Sequence, residues 1–278
     1  MDSKLALDYC DKLVDHEINN IKGTTFEDRF IDIVSDPNNI FIKRCEKAGT
    51  IENGCVILHN GIKVLKDGYY GTFSKILELN KGCHEPAEER MFELILQDIS
   101  ENGTMIELGS YWAFYTIWFN KSIKGAKNYC IEPEFENLNL GKQNCLLNNV
   151  SNVDFTQGFV GKNKINLSEF ILDKKIDFID ILHSDIQGYE LEMLQDITKL
   201  LAQNKIKYLF ISTHSNDLHY KCITLLLEHK YRIIASADFE TDTFCYDGII
   251  VACQSDNQTF GDYSIGQRKF TKLRTISY

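Results

Sequence analysis

The chain spaces its apolar residues in two rhythms, and the change falls near residue 84. Leu5, Tyr9, Leu13, Ile18 and Ile21 recur at roughly helical intervals, which predicts a helix over residues 4–22 packed on something larger. In CVILHNGIKVL, Cys55 to Leu65, β-formers flank Asn60-Gly61, a pair suited to the positive φ angles of a tight hairpin turn. Tyr69 to Leu79 is expected to add one more strand. Residues 1–80 therefore read as a helical and β-hairpin extension, a small α+β cap.

After His84-Glu85-Pro86 the run AEERMFELILQDI predicts a helix with proline in its first turn. Strands are then expected near 104–108, 128–131, 152–158, 176–183, 207–212, 231–236 and 247–252, with helices near 112–122, 134–149, 189–201 and 218–229. Apolar strands alternating with helices imply an α/β domain over residues 81–278, its mostly parallel sheet covered on both faces. Only the polar turn Glu240-Thr241-Asp242 separates the last two strands, so they should pair antiparallel.

Composition narrows the class. A chain of 278 residues, 44% of them apolar, can bury a full core. No apolar run approaches the ~20 residues that span a bilayer, and the N-terminal MDSKLALDYCDKLVDHE has no signal-peptide core. A formal net charge of −10 argues against a large nucleic-acid interface. The nine cysteines form no C-x-x-C pair and read as reduced packing residues of a cytoplasmic protein.

In open α/β sheets, ligands sit beyond the carboxyl ends of the strands. The first strand ends at Glu107-Leu108-Gly109-Ser110-Tyr111 and turns into a helix near Trp112. Such a turn brings amide groups and a helix N-terminus against a small polar cofactor. The second strand ends at Glu132-Pro133, and an acid there is placed to accept hydrogen bonds from ribose hydroxyls. Phe159, after the third strand, can lie against an adenine face. His183 and Asp185 end the fourth strand, and His214 follows the fifth. The bland readings are helix capping for Glu107, Glu132 and Asp185, a core role for His183, and core packing for Trp112, Phe114 and Trp118.

The ordered set resembles the FkbM-type family of S-adenosylmethionine-dependent methyltransferases over about His84 to Ala252. ELGSYWAFYT at Glu107 resembles the family's first motif, and IEPEFENL at Ile131 its second. HSDIQGYELEML at His183 is similar to its fourth-strand signature, and YDGIIVA at Tyr246 to its closing strand. The resemblance implies a class I, Rossmann-like fold of seven strands with the last antiparallel. It implies S-adenosylmethionine on Glu107, Leu108, Gly109, Ser110, Tyr111, Glu132, Pro133 and Phe159. It also implies methyl transfer to an oxygen of a small polar acceptor, such as a sugar or glycan hydroxyl. The chain departs from the pattern at Tyr111, where a small polar residue is usual, and at Ala113, where a second glycine is common.

Asp185 and His214, at the ends of strands expected to be adjacent, are candidates for the base that takes the acceptor's proton. With His183 they could instead hold a divalent metal. A nicotinamide oxidoreductase would show G-x-G-x-x-G at the first turn, which is missing. An inactive cofactor- or carbohydrate-binding module on the same fold stays open, as does a metal-dependent hydrolase on His183, Asp185 and His214. The first 80 residues are left three roles: capping the acceptor, forming a homodimer face, or binding a carrier.

Overall fold

The computed structural model describes residues 26–161, 164–266 and 268. The helix expected over residues 4–22 lies outside them. The N-terminal part comprises α1 (Phe26–Ser35), a three-stranded sheet of β1 (Ile51–Glu52), β2 (Cys55–Ile57) and β3 (Lys63–Leu65), and α2 (Lys75–Leu79). The hairpin is where the sequence puts it, with Ile57 opposite Lys63 and Gly61 at φ 84°. The expected strand over 69–79 is instead a 3-10 turn, Gly71–Ser74, running into α2. Glycine and serine ahead of KILEL favour that turn over an extended edge.

α3 (Pro86–Leu96) leads into β4 (Thr104–Leu108), α4 (Phe114–Ser122), β5 (Lys127–Glu132), α5 (Phe135–Leu147) and β6 (Val153–Gln157). Next come α6 (Leu167–Asp173), β7 (Ile179–Ser184), α7 (Glu190–Asp196), α8 (Thr198–Ala202) and β8 (Ile206–Thr213). The chain closes with α9 (Asn216–Glu228), β9 (Tyr231–Ala237), β10 (Gly248–Gln254) and β11 (Tyr263–Ser264). The apolar pattern does not announce α6, although its capping signal is present: Asn166 accepts the amide of Glu169 at 2.8 Å.

The large sheet runs β6-β5-β4-β7-β8-β10-β9-β11. The first five strands in that order are parallel, and β10 is antiparallel to both β8 and β9. That is the class I, Rossmann-like arrangement of seven strands, with the two-residue β11 added beside β9. A strand of two residues is too short to show a period, so the sequence did not predict it.

Alternation along the strands splits the apolar residues between two cores. Met105, Ile181, Phe210 and Val251 pack with α3, α4 and the hairpin's Val56, Leu58 and Val64. Ile106, Leu108, Leu182 and Leu209 pack on the other face with α6, α7 and α9. Trp112, Phe114 and Trp118 belong to the first core, as expected. Among the described residues no helix is long and apolar enough to cross a membrane.

Candidate active site

β4 and β7 are neighbours, and their C-terminal ends close on each other. The amide of Asp185 donates to Leu108 O at 2.9 Å, and Gly109 N donates to Ile131 O at 2.8 Å. A Cβ on Gly109 would stand 1.8 Å from the Asp185 carbonyl oxygen, and φ there is +70°. Only glycine meets both demands. The turn continues through two further positive φ angles, Tyr111 at 43° and Ala113 at 61°, before α4 begins at Phe114. Each costs a residue with a Cβ on the order of 1 kcal/mol.

The two acids offset that strain. Glu132 Oε2 accepts the Tyr111 amide at 2.9 Å and Oε1 the Glu134 amide at 3.0 Å. Glu107 Oε2 accepts the Thr116 amide at 3.0 Å in the first turn of α4. The capping role considered for Glu107 is therefore real, whereas Glu132 ties the Tyr111 turn to the entry of α5, and both acids also lie on a cavity wall. Burial raises the Glu107 carboxyl to about 7 and also raises that of Glu132. Tyr111 is pinned at its far end: its hydroxyl donates to Gly68 O at 2.9 Å and accepts from Tyr70 N at 2.8 Å.

Two cavities, each of about 380 Å³, meet at this turn and share Tyr70, Gly109, Tyr111, Asp185 and Gln187. Glu132, Pro133, Asn137, Phe159 and Tyr189 line one of them. The other is more charged, with His84, Glu85, Glu88, Glu107, Ser110 and His183 among its walls, together with Arg29, Tyr246 and Asp247. The Arg29 guanidinium donates to Tyr69 Oη at 2.7 Å. It lies 5.1–6.0 Å from the ring centres of Tyr69, Tyr70, Phe73 and Tyr246.

Three expectations change. Leu108 lines neither cavity: its side chain is fully buried in the second core, because strand alternation turns it away from its neighbour Glu107. His183 does not join Asp185 and His214. Its Nε2 lies 2.6 Å from Glu88 Oε1 and its ring lies 4.4 Å from that of Tyr115. Burial would depress this histidine, but Glu88 outweighs burial and raises it to about 9. The third member of the expected metal group is Asp247, from the loop before β10: donor atoms of Asp185, His214 and Asp247 all lie within 4.8 Å of one another.

His214 itself stands behind the cavity wall. Its Nε2 is 3.2 Å from Asp185 Oδ1 and 3.4 Å from Asp247 Oδ1, and its Nδ1 is 3.2 Å from Glu190 Oε1. Against the effect of burial, these carboxylates raise it to about 10. An imidazolium so held fixes Asp185 in place but does not accept a further proton.

The start of α3 brings acids to the site that the strand-end rule does not point to. Glu88 and Glu89 lie in the same helical stripe as Phe92, Ile95 and Leu96, and both are buried. Two acids on an apolar stripe are the signal that marks them, since buried acids need partners. Arg29 and Asp247 carried no such signal.

The sheet order, the single-glycine turn and the acid-bearing strand ends define the nucleotide-cofactor end of a class I methyltransferase fold. Residues 120–233 match the sequence model of the Methyltransferase FkbM domain. That match covers 114 of the 278 residues, and the segment is similar to the FkbM methyltransferase domain whose motifs the sequence resembles. Glu132, Asp185 and His214 fall inside the matched span, and the turn at Gly109 lies before it. No curated protein sequence matches the chain. Similar solved structures include precorrin-6y C5,15-methyltransferase from Geobacter metallireducens, with a TM-score of 0.44 and 15% identity, covering 60% of this chain and 88% of that one. TrmK of M. capricolum in complex with S-adenosyl-homocysteine has a TM-score of 0.40 and 18% identity, covering 63% of this chain and 69% of its own.

Proposed function

We propose that this protein moves the methyl group of S-adenosylmethionine onto a hydroxyl oxygen of a sugar or glycan. The observation that carries the reading is the pair of cavities joined at Gly109 and Asp185. The adenosine half belongs in the cavity of Glu132, with the carboxylate towards the ribose hydroxyls and Pro133 and Phe159 on the adenine face. The methionine half passes Gly109, Ser110 and Tyr111 into the charged cavity, with Glu107 on its wall. S-adenosylmethionine carries one net positive charge, from its sulfonium, its ammonium and its carboxylate. A cavity with several carboxylates favours that charge and releases the product once the sulfonium has become a thioether.

The acceptor then enters between Arg29 and Asp247. Tyr70 and Tyr246, 52% and 43% exposed, offer flat faces to a sugar ring while Arg29 and Asp247 offer polar partners to its hydroxyls. Asp185 accepts a hydrogen bond from a hydroxyl beside the reacting one and so aims the acceptor in line with the methyl, and much of the acceleration comes from such positioning. His214 holds Asp185 from behind. The described part of residues 1–80 closes the acceptor side of the methyltransferase domain of residues 81–278. The eight described cysteines are unpaired, which fits a cytoplasmic setting.

The grouping of Asp185, His214 and Asp247 favours a second reading, in which these three hold a divalent cation that lowers the acceptor hydroxyl's pKa. Binding of manganese that is lost in Asp247→Ala would establish it, and equal binding by both proteins would remove it. The cofactor reading is tested by calorimetry with S-adenosylhomocysteine. Wild type should bind it, and Glu132→Gln should bind at least about tenfold more weakly, a loss of about 1.4 kcal/mol. No binding by folded wild type would sink the reading. Tritiated methyl transfer to a panel of neutral and acidic sugars then identifies the acceptor.

A further inference from the structure

A methylated hydroxyl must lose its proton, and the residues placed so far provide no group to receive it. His214 is held by three carboxylates and lines neither cavity. His183 faces Glu88 and is covered by the Tyr115 ring. Asp185 is committed to His214 and to the Gln187 side chain, which donates to it at 2.8 Å.

His84 is built differently. Its Nδ1 lies 2.7 Å from Glu89 Oε1, and the same oxygen accepts the amides of His84 and Glu85 at 2.8 and 2.9 Å. The other oxygen, Oε2, lies 2.9 Å from Nε2 of His59. The remaining His59 nitrogen faces Lys43 O at 3.2 Å, so His59 is fixed at both ends. Glu89 is fully buried and the two histidines are each 2% exposed. Rings of Tyr69, Trp112 and Phe114 meet the His84 ring at 5.0–5.1 Å and set its plane. Of the three, only His84 lines the charged cavity. Its Nε2 lies 3.5 Å from Glu85 Oε2, the oxygen that accepts the Tyr115 hydroxyl at 3.0 Å.

We propose that His84 is the general base of the methyl transfer, with Glu89 and His59 as the residues that position it. This rests on the cofactor and hydroxyl-acceptor reading above. A carboxylate that holds one imidazole nitrogen leaves the other as the acceptor, the logic of a base and its orienting acid. The acceptor oxygen attacks the methyl carbon as the carbon–sulfur bond breaks, and the bonding pair goes to sulfur. The O–H proton passes to Nε2 of His84, and the resulting imidazolium is stabilised by Glu89. His84 returns the proton to solvent after the products leave. Glu89 is suited to holding that imidazolium, because the two imidazoles keep its carboxyl well below the usual range although burial alone would raise it.

The test uses histidine-labelled full-length protein and nitrogen NMR, with His219, held between Thr213 and Ser236, as the internal control. The groups facing His84 are Glu85, Glu89, Arg29, Tyr69 and Tyr115. Titrations compare the complex with S-adenosylhomocysteine against that with sinefungin, whose protonated amine stands in place of the transferred methyl. A base beside the methyl should show its pKa about one unit or more lower with sinefungin, with His219 unmoved. Glu89→Gln should lower the His84 pKa further and release the Nδ1 proton from its fixed site. If that variant fails to fold, His59→Asn, which leaves the Glu89 carboxylate to His84 alone, should move the His84 pKa the opposite way, upward. Equal His84 values in both complexes would overturn the proposal. So would a rise on binding S-adenosylhomocysteine, which would mark His84 as an anchor for the cofactor's carboxylate. Failure of wild type to bind either ligand removes the cofactor reading itself, whereas binding with an unresponsive His84 removes only the base.

Discussion

At the scale of single residues, the protein depends on buried acids whose partners differ. Glu89 is held as an anion by two imidazoles, whereas Glu107 is pushed up to about 7 by burial. Asp36 belongs with Glu107: it is buried far along the chain from the strand ends, accepts from Asn38 N and Nδ2 at 2.7 Å, and burial raises it to about 7. Its folded pKa lies above the unfolded value of about 4, so the folded state holds a proton that the unfolded chain releases. Stability from this group is full below about pH 4 and declines as pH rises to about 7, by about 3–4 kcal/mol. Asp36→Asn should therefore gain melting temperature relative to wild type between pH 4.5 and pH 8. A constant difference across that range would show that the carboxyl does not titrate as described. The candidate site was legible where chemistry coincided with strand ends, as at Glu107, Gly109, Glu132 and Asp185. It was illegible at His84, Arg29 and Asp247, because distant segments bring them to the cavity and no local spacing records that.

Elements show the same division. The helices and strands expected after residue 84 lie where apolar periodicity puts them, because each is long enough to show its period, whereas the short α6 and β11 are not announced by it. The segment 69–79 departs from it, since a few apolar residues beside glycine and serine suit a strand or a short helix equally. Tertiary hydrogen bonds hold the hairpin in place. The side-chain amide of Asn148 takes the role of a neighbouring strand for β3: Lys63 N donates to its Oδ1 at 2.9 Å, and its Nδ2 donates to Lys63 O at 2.6 Å. Asn144, one turn earlier, accepts the Leu65 amide at 3.0 Å and donates to Trp112 O at 3.1 Å. Asn148→Ala leaves two backbone groups of an edge strand without protein partners, at about 1–3 kcal/mol. Hydrogen exchange should then speed up at Lys63 while Leu65, held by Asn144, and the β4 and β5 amides keep their protection. Unchanged exchange at Lys63 would mean that water already does this work.

Across the whole molecule, one apolar core joins the parts that the sequence separates. Val56, Leu58 and Val64 of the hairpin pack in the same cluster as Phe92, Trp118 and Phe210. Both tryptophans of the chain lie in that cluster. Urea unfolding followed by tryptophan fluorescence and by far-ultraviolet circular dichroism should give coincident curves. A separate early fluorescence transition would show the first 80 residues melting on their own. Tyr111 is where this union reaches the candidate site. Its amide is tied to one side of the sheet through Glu132, and its hydroxyl sits between Gly68 and Tyr70 on the other. Such a side chain is hard to exchange alone. A lineage that replaced it with a small residue would have to rebuild the 68–70 turn in the same step, so the two segments should change together or not at all.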